Sequence, residues 1–438
     1  MGDAGLVALI LVVGMFGLMA IGVSVSVSIG LPSAICLVIL MGHESGIFTS
    51  AQKIYNGVDS FALLAIPLFV LAGAIMNQGG IASRLIDFAK AIVGPMPGAL
   101  AQTNCVTNML FSTISGSSLA CASAVGAIMS PEMEKDGYDM RFAAAVNIAS
   151  APAGMMIPPS NTVIVYALVS QASVGALFLA GYIPGILWIL TCMVLVHIYA
   201  RKRPELKGKG FPPFKDGLKA FLRALPSLGL IVVVIGGITI GVFTATEGAG
   251  IAVVYALVLS LIYRTVRVQD IPQLLLTATR TASVVVFLIA LSSIMSYAMV
   301  FANIPVLIAD WLTGFTSSKI VFLLIMAIIL LIIGIPLDAT PAVLIFTPIF
   351  LPIAVEYGVH PVHLGMMMMF NMGLAIISPP SAPVLFVGAR VAGKKVEDVI
   401  GPLMPFFIAL IVMLLVVQYV PALSLWLPTA AGMIVAPA

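Results

Sequence analysis

Four interruptions in otherwise apolar sequence hold most of the residues able to do chemistry. The first two are Ser115-Gly116-Ser117-Ser118 and Pro158-Pro159-Ser160-Asn161-Thr162. Further on come Pro336-Leu337-Asp338-Ala339-Thr340-Pro341 and Pro379-Pro380-Ser381-Ala382-Pro383. Gly, paired Pro and small hydroxyl residues do not continue a helix cleanly, so each interruption exposes backbone carbonyls and helix ends. Carbonyls and Ser/Thr hydroxyls suit a hard monovalent cation such as Na+, and helix N-termini attract a carboxylate. The expected ligands are Ser115, Gly116, Ser117, Ser118, Pro158, Ser160, Asn161 and Thr162, then Pro336, Asp338, Thr340, Pro379 and Ser381, with Na+ itself at Ser117, Ser160, Asn161, Asp338 and Ser381. A plainer reading gives Gly and Ser to helix packing and leaves the prolines as kinks. Four such motifs in symmetric positions weigh against it. Asp338 is the sole acid in its segment, and an acid at membrane depth costs about 2.5–3.5 kcal/mol, so it is expected to sit beside a cation or a coupled proton.

Irregular backbone survives at membrane depth only where protein or a polar cavity satisfies it, so the flanks of these breaks must be packed helices. Composition agrees: the 438 residues are 61% hydrophobic and 8% charged, with mean hydropathy +1.18. A soluble domain carries about 25% charged residues, so the expected class is an all-α polytopic membrane protein. Cys36, Cys105, Cys121 and Cys192 lie in apolar segments without CxxC spacing and read as small hydrophobes, with no disulfide or metal role. No cleavable signal is expected, since Met1-Gly2-Asp3-Ala4-Gly5 lacks a basic region. No Walker motif is present, so nucleotide hydrolysis by this chain is not expected. An intramembrane hydrolase is a remote reading: Ser117 has no partnering His in the membrane, and Asp338 has no second buried Asp. The expectation is not an enzyme, and no nucleic-acid partner.

Along the chain, apolar segments cover 5–23, 29–41 and 61–76, with a polar stretch at His43, Glu44 and Lys53. Arg84, Asp87 and Lys90 at spacing three predict an in-plane amphipathic helix over Ser83–Ile92. Residues 97–129, broken at Ser115–Ser118, have arms of about 14–18 residues, short of the ~20 that span, and predict a re-entrant hairpin. A span over 141–170 is unwound at Pro158–Thr162, and 174–200 crosses back. These make a first repeat, 1–200. Residues 201–223 form a basic linker with a short amphipathic helix, and 224–438 form the second repeat. In that repeat, 304–316 is the second in-plane helix, 320–354 the second hairpin and 363–391 the second unwound span. The placement of 423–434 is left open.

An offset of 221 pairs Pro131 with Pro352, Gly137 with Gly358, Pro158 with Pro379, Pro159 with Pro380, Ser160 with Ser381 and Pro184 with Pro405, without a gap. Each repeat has five crossings and one hairpin, and an odd number of crossings inverts the second. With the N-terminus outside, only Lys53 and Lys319 remain outside, leaving 18 of 20 basic residues in the cytoplasm, as the positive-inside rule requires. The reading is two inverted-topology repeats. Glu247 is expected at a solvated outer turn. His360 and His363 are not expected to bind metal, the Met366–Met369 run reads as packing, and Arg390 reads as an interfacial anchor.

The sequence resembles the large membrane subunit of TRAP (tripartite ATP-independent periplasmic) transporters, of the ion transporter superfamily. Ala65-Ile66-Pro67-Leu68-Phe69-Val70-Leu71-Ala72-Gly73, the Ser115–Ser118 tip, Gly154-Met155-Met156-Ile157-Pro158-Pro159-Ser160-Asn161 and Gly334-Ile335-Pro336-Leu337-Asp338 carry the likeness over nearly the whole chain. The resemblance implies an elevator-type transporter in the bacterial inner membrane. It also implies Na+-driven uptake of an organic acid, sialate or C4-dicarboxylate, with a small four-helix membrane subunit and a periplasmic substrate-binding protein. The small subunit is not expected to be fused. More distantly, the chain is similar to divalent-anion/Na+ symporters, which carry Ser-Asn-Thr at both hairpin tips. Here Ser-Asn-Thr occurs once, at Ser160–Thr162, and the second half has Ser381-Ala382-Pro383, which leaves a second cation site to backbone carbonyls. A stand-alone Na+/carboxylate symporter is the alternative.

Overall fold

A computed structural model describes residues 3–203, 206, 213–335, 337–379 and 382–435. Helices joined by short connections account for them, with no strand among the described residues. The first half runs α1 (Asp3–Ala20), α2 (Val25–Met41), α3 (His43–Val58), a 3-10 turn (Phe61–Leu64) leading into α4 (Ala65–Gln78), α5 (Ile81–Val93), α6 (Ala99–Ser115), α7 (Ser118–Lys135), α8 (Met140–Ser150), α9 (Asn161–Ser170) and α10 (Val174–Arg201). The second half runs α11 (Phe214–Thr239), α12 (Ala245–Ile262), α13 (Ile271–Phe301), α14 (Ile304–Phe315), α15 (Lys319–Gly334), α16 (Ala339–Glu356), α17 (Pro361–Ala375), α18 (Pro383–Val391), α19 (Val396–Tyr419) and α20 (Ala422–Ala430). Seven helical stretches among the described residues are long and apolar enough to cross a membrane.

The breaks form where the sequence places them. Gly116 closes α6 in the left-handed region (φ 57), and extended Ser117 opens α7, its Oγ accepting from the Ala120 N–H at 3.4 Å. The chain therefore reverses within two residues, and α6 packs along α7. After α8, a 3-10 turn at Ala151–Met155 and a stretch holding the cis Pro158–Pro159 bond lead to Ser160, which caps α9. In the second half α15 and α16 flank Asp338, and α17 and α18 flank Pro379; Pro336, Pro380 and Ser381 lie outside the described residues. α16 is itself long enough to span, yet 61% of its apolar window is buried, against 28–44% for the other six. Protein, more than lipid, surrounds that arm.

Other elements differ from expectation. The polar stretch after α2 is the amphipathic helix α3, packed on α2 and α13. The short helix expected inside the linker runs without a break into the first span of the second half, as α11, because nothing in Lys215–Arg223 stops a helix. The last segment is α20, laid against α10.

Packing divides the helices into two groups. Helices α1–α4 and α11–α13 pack among themselves, and α6–α10 pack with α15–α20. The groups also meet directly, α4 against α6 and α9, α13 against α16, and α10 against α11, and two further helices bridge them: α5 touches α11 and α6, while α14 touches α13 and α16. The Lys90–Glu132 ion pair, at 2.7 Å, ties α5 to α7. Arg84 of α5 stacks over Tyr263, 3.3 Å from the ring centroid, near the start of α13, whereas α14 follows the end of α13. Thirty-one residues of helix span about 46 Å, so the two joining helices lie at opposite faces.

The bounds of α7 and α16 are related residue for residue by the 221 offset, Ser118 to Ala339 and Lys135 to Glu356. Asp139 and His360 are related in the same way and both act as caps: Asp139 Oδ1 accepts from the Arg141 N–H at 2.9 Å, and His360 Nδ1 from the Val362 N–H at 3.1 Å. The Arg141 side chain, bonded to Asp139, holds that carboxyl below its ordinary range.

Candidate transport cavity

A cavity of about 550 Å³ lies between the two groups. The α6–α7 tip (Ser115–Ser118), the start of α9 (Asn161, Thr162) and the start of α16 (Asp338–Thr340) form one wall. Asn77 of α4 with Thr277 and Thr281 of α13 stand on the other. The fold thus brings residues from three of the four breaks onto one space, although Asn161 and Asp338 are far apart in sequence. Pro158 and Ser160 are fully covered and lie behind the wall; Pro379 is half-buried and does not line the cavity.

Helices α7, α9 and α16 all begin at this wall, so three N-termini with partial positive charge face it. Two of the expected ligands also shape the wall: Ser117 caps α7, and the Ser160 hydroxyl accepts from the Val163 N–H at 3.4 Å. Asp338 stands at the corresponding place before α16, but its carboxylate makes no capping bond and is exposed to the cavity. Among the described lining residues Asp338 is the only charged one, and none of them is Lys, Arg or His.

Two oxygens here are buried without a hydrogen-bond partner, Ser118 Oγ and Asn161 Oδ1. Buried polar atoms are nearly always partnered by protein, water or an ion, so these two are the wall's free acceptors. A monovalent cation with oxygen ligands fits them. The tip and the break meet directly: a Cβ placed on Gly116 would stand 2.9 Å from the Pro159 carbonyl oxygen and 3.5 Å from the Asn161 N–H nitrogen. The equivalent of Asn161 in the second half is Ala382, fully buried and without a side-chain oxygen.

Buried amides hold this wall in place. Asn108 Nδ2 of α6 donates to Asn147 Oδ1 (3.1 Å) and Ser150 Oγ (2.8 Å) of α8. Asn147 Nδ2 donates to the Ala122 carbonyl of α7 at 2.8 Å. One side chain on α8 therefore grips both arms of the hairpin. α10 closes the back of the break, because Gly181 presents no side chain to the Met156 carbonyl. Sequence reasoning missed Asn77, Asn108, Asn147, Thr277 and Thr281. A signal existed: Asn within apolar segments, and two Thr at spacing four on one helix face.

Residues 12–423 match the family model described as "Tripartite ATP-independent periplasmic transporter, DctM component". The chain belongs to that family. Its relatives include an uncharacterized Salmonella typhimurium protein, YgiK, 47% identical over 96% of this chain and 97% of that one. The C4-dicarboxylate TRAP transporter large permease DctM of Pseudomonas aeruginosa is 39% identical, covering 93% and 95%. The sialic acid TRAP transporter large permease SiaM of Vibrio cholerae is 33% identical, covering 95% and 97%. DctM and SiaM are named as permeases, not enzymes. Among solved structures, the Alcanivorax borkumensis YdaH transporter has a similar fold, with TM-score 0.62 and 15% identity over 89% of this chain and 90% of that one. The permease is thus an integral, multi-pass inner-membrane protein.

Proposed function

We propose that this permease imports an organic acid of the C4-dicarboxylate or sialate class by symport with Na+. The acid is delivered by a periplasmic binding protein, and a small four-helix membrane subunit completes the transporter. The family description and the relatives' names support the partners and the substrate class. The observation that carries the sodium reading is the wall itself: two unpartnered oxygens, Ser118 Oγ and Asn161 Oδ1, beside a single carboxylate with no basic side chain among the described lining residues. An acid held about 6 Å from Asp338 at an effective dielectric of ~20 meets a repulsion of about 3 kcal/mol per negative charge, on the order of a hundredfold in affinity. Helix N-termini offset part of that, each giving roughly 0.3–1 kcal/mol. A cation bound by the tip and the break cancels that carboxylate's charge and leaves the helix N-termini to attract the acid, so Na+ binds before or with the acid.

The second part of the proposal is an elevator built on two inverted repeats. The group holding α6–α10 and α15–α20 travels, and α1–α4 with α11–α13 stay as scaffold. Matching element bounds at offset 221 and joining helices at opposite faces support this. With the linker in the cytoplasm, the cavity lies near the cytoplasmic ends of α4 and α13, which is an inward-facing state. The test is uptake of labelled succinate and N-acetylneuraminate by proteoliposomes holding the complete transporter. An inward Na+ gradient should drive accumulation of one of them, and an equal K+ gradient should not. Equal uptake in both salts would end the sodium reading.

A further inference from the structure

Trp188 of α10 is fully buried and takes no part in the cavity wall. Its indole N–H donates to the Ala149 carbonyl at 2.8 Å, in the last turn of α8. Its ring lies 4.7 Å from that of Phe370 on α17, tilted by 55°. A Cβ on Gly373 would stand 3.2 Å from the Trp188 ring and 3.4 Å from Pro152. Ala149 and Phe370 are 221 residues apart, and so are Pro152 and Gly373. One side chain thus touches both interrupted spans at the same register, nine residues ahead of the first proline of each break. The position 221 residues beyond Trp188 is Ala409, so a single large ring fills the centre for both halves.

Packed interiors have little free volume, and a rigid ring between two elements transmits a shift of either one to the other. We infer that Trp188 is a positioning residue that couples the first break, with Asn161, to the second interrupted span. On this inference, Na+ bound by the first half orders the second half for the acid. This rests on the sodium reading above. Such a coupling is a ratio of affinities and typically amounts to 5–150-fold.

The test uses the purified chain with Trp311→Phe and Trp426→Phe, which removes two exposed rings and leaves Trp188 as the sole tryptophan, excited selectively over tyrosine. Na+ titrated against K+ at constant ionic strength should shift the Trp188 emission along a saturating curve. Gly373→Ala, placed in the second half and outside the cavity wall, should raise the Na+ half-saturation at least about fivefold, because its methyl crowds the ring. Trp188→Phe, which keeps a ring but loses the bond to Ala149, should do the same in radioactive-Na+ binding. A merely structural role would lower the yield of folded protein and leave half-saturation alone. If wild type binds Na+ but the emission stays constant and both variants bind as wild type does, the inference is overturned. If wild type binds no Na+, the sodium reading fails first and takes this inference with it.

Discussion

Gly116→Ala tests the junction on which the cation site depends. Two costs arise. Gly116 has φ 57, where an L-residue costs roughly 1–2 kcal/mol. The new methyl would also stand 2.9 Å from the Pro159 carbonyl oxygen, and ordinary contact needs the tip and the break to part by about 0.5 Å, the limit a preorganised site tolerates. Gly137→Ala separates the two costs: it carries the same backbone penalty (φ 82) with nothing within 4 Å. Gly137→Ala should lose about 1–2 kcal/mol of stability, and Gly116→Ala more than that, because the contact with Pro159 adds to the same backbone cost. Only Gly116→Ala should raise the Na+ concentration for half-maximal uptake, by about tenfold, equivalent to some 1.4 kcal/mol of lost binding. The assay is initial uptake rate against Na+ at saturating acid, with melting curves on the same preparations. Equal Na+ dependence in Gly116→Ala, Gly137→Ala and wild type would refute the view that tip and break together hold the ion.

Ser118→Ala and Asn161→Ala should each weaken Na+ activation several-fold yet leave stability within about 1 kcal/mol, because each removes an oxygen that has no partner to lose; a large drop in melting temperature with unchanged Na+ activation would reverse the assignment. Asp338→Asn should abolish Na+-driven uptake and still fold, since its carboxylate makes no capping bond and Asn caps as well as Asp; normal Na+-driven uptake by this variant would reduce Asp338 to a structural role. Asn147→Ala should cost more stability than either wall variant, about 1–3 kcal/mol, because it removes the buried bonds to the Ala122 carbonyl and from Asn108 Nδ2 that tie α8 to both arms; a neutral melting curve would show the grip on the hairpin to be dispensable.

The breaks were legible in the sequence because Gly116, Ser117 and the prolines stand out within apolar runs and carry local backbone rules. The 221 offset was legible for the same reason, since prolines and glycines mark element ends. What could not be read was how distant segments face one another. Asn77, Thr277 and Thr281 are single polar residues on long apolar helices, and only packing shows that they line the cavity. Trp188 looked like one more apolar residue, because its partners Ala149 and Phe370 are remote in sequence. The helix α3 was hidden by its polar content, since membrane reasoning searches for apolar runs and an amphipathic helix is not one.

Whether the cavity moves across the membrane decides the account. Leu119 lines the cavity beside the tip, so Leu119→Cys in a background lacking the four native cysteines places a reporter on the proposed moving group. A membrane-impermeant maleimide, applied to one side of the membrane at a time, then reads which face the cavity opens to. The account predicts labelling from the linker side in one condition and from the opposite side in another, with the balance shifting when Na+ and the transported acid are added. Labelling from the same side in every condition, by protein that transports at the normal rate, would contradict it.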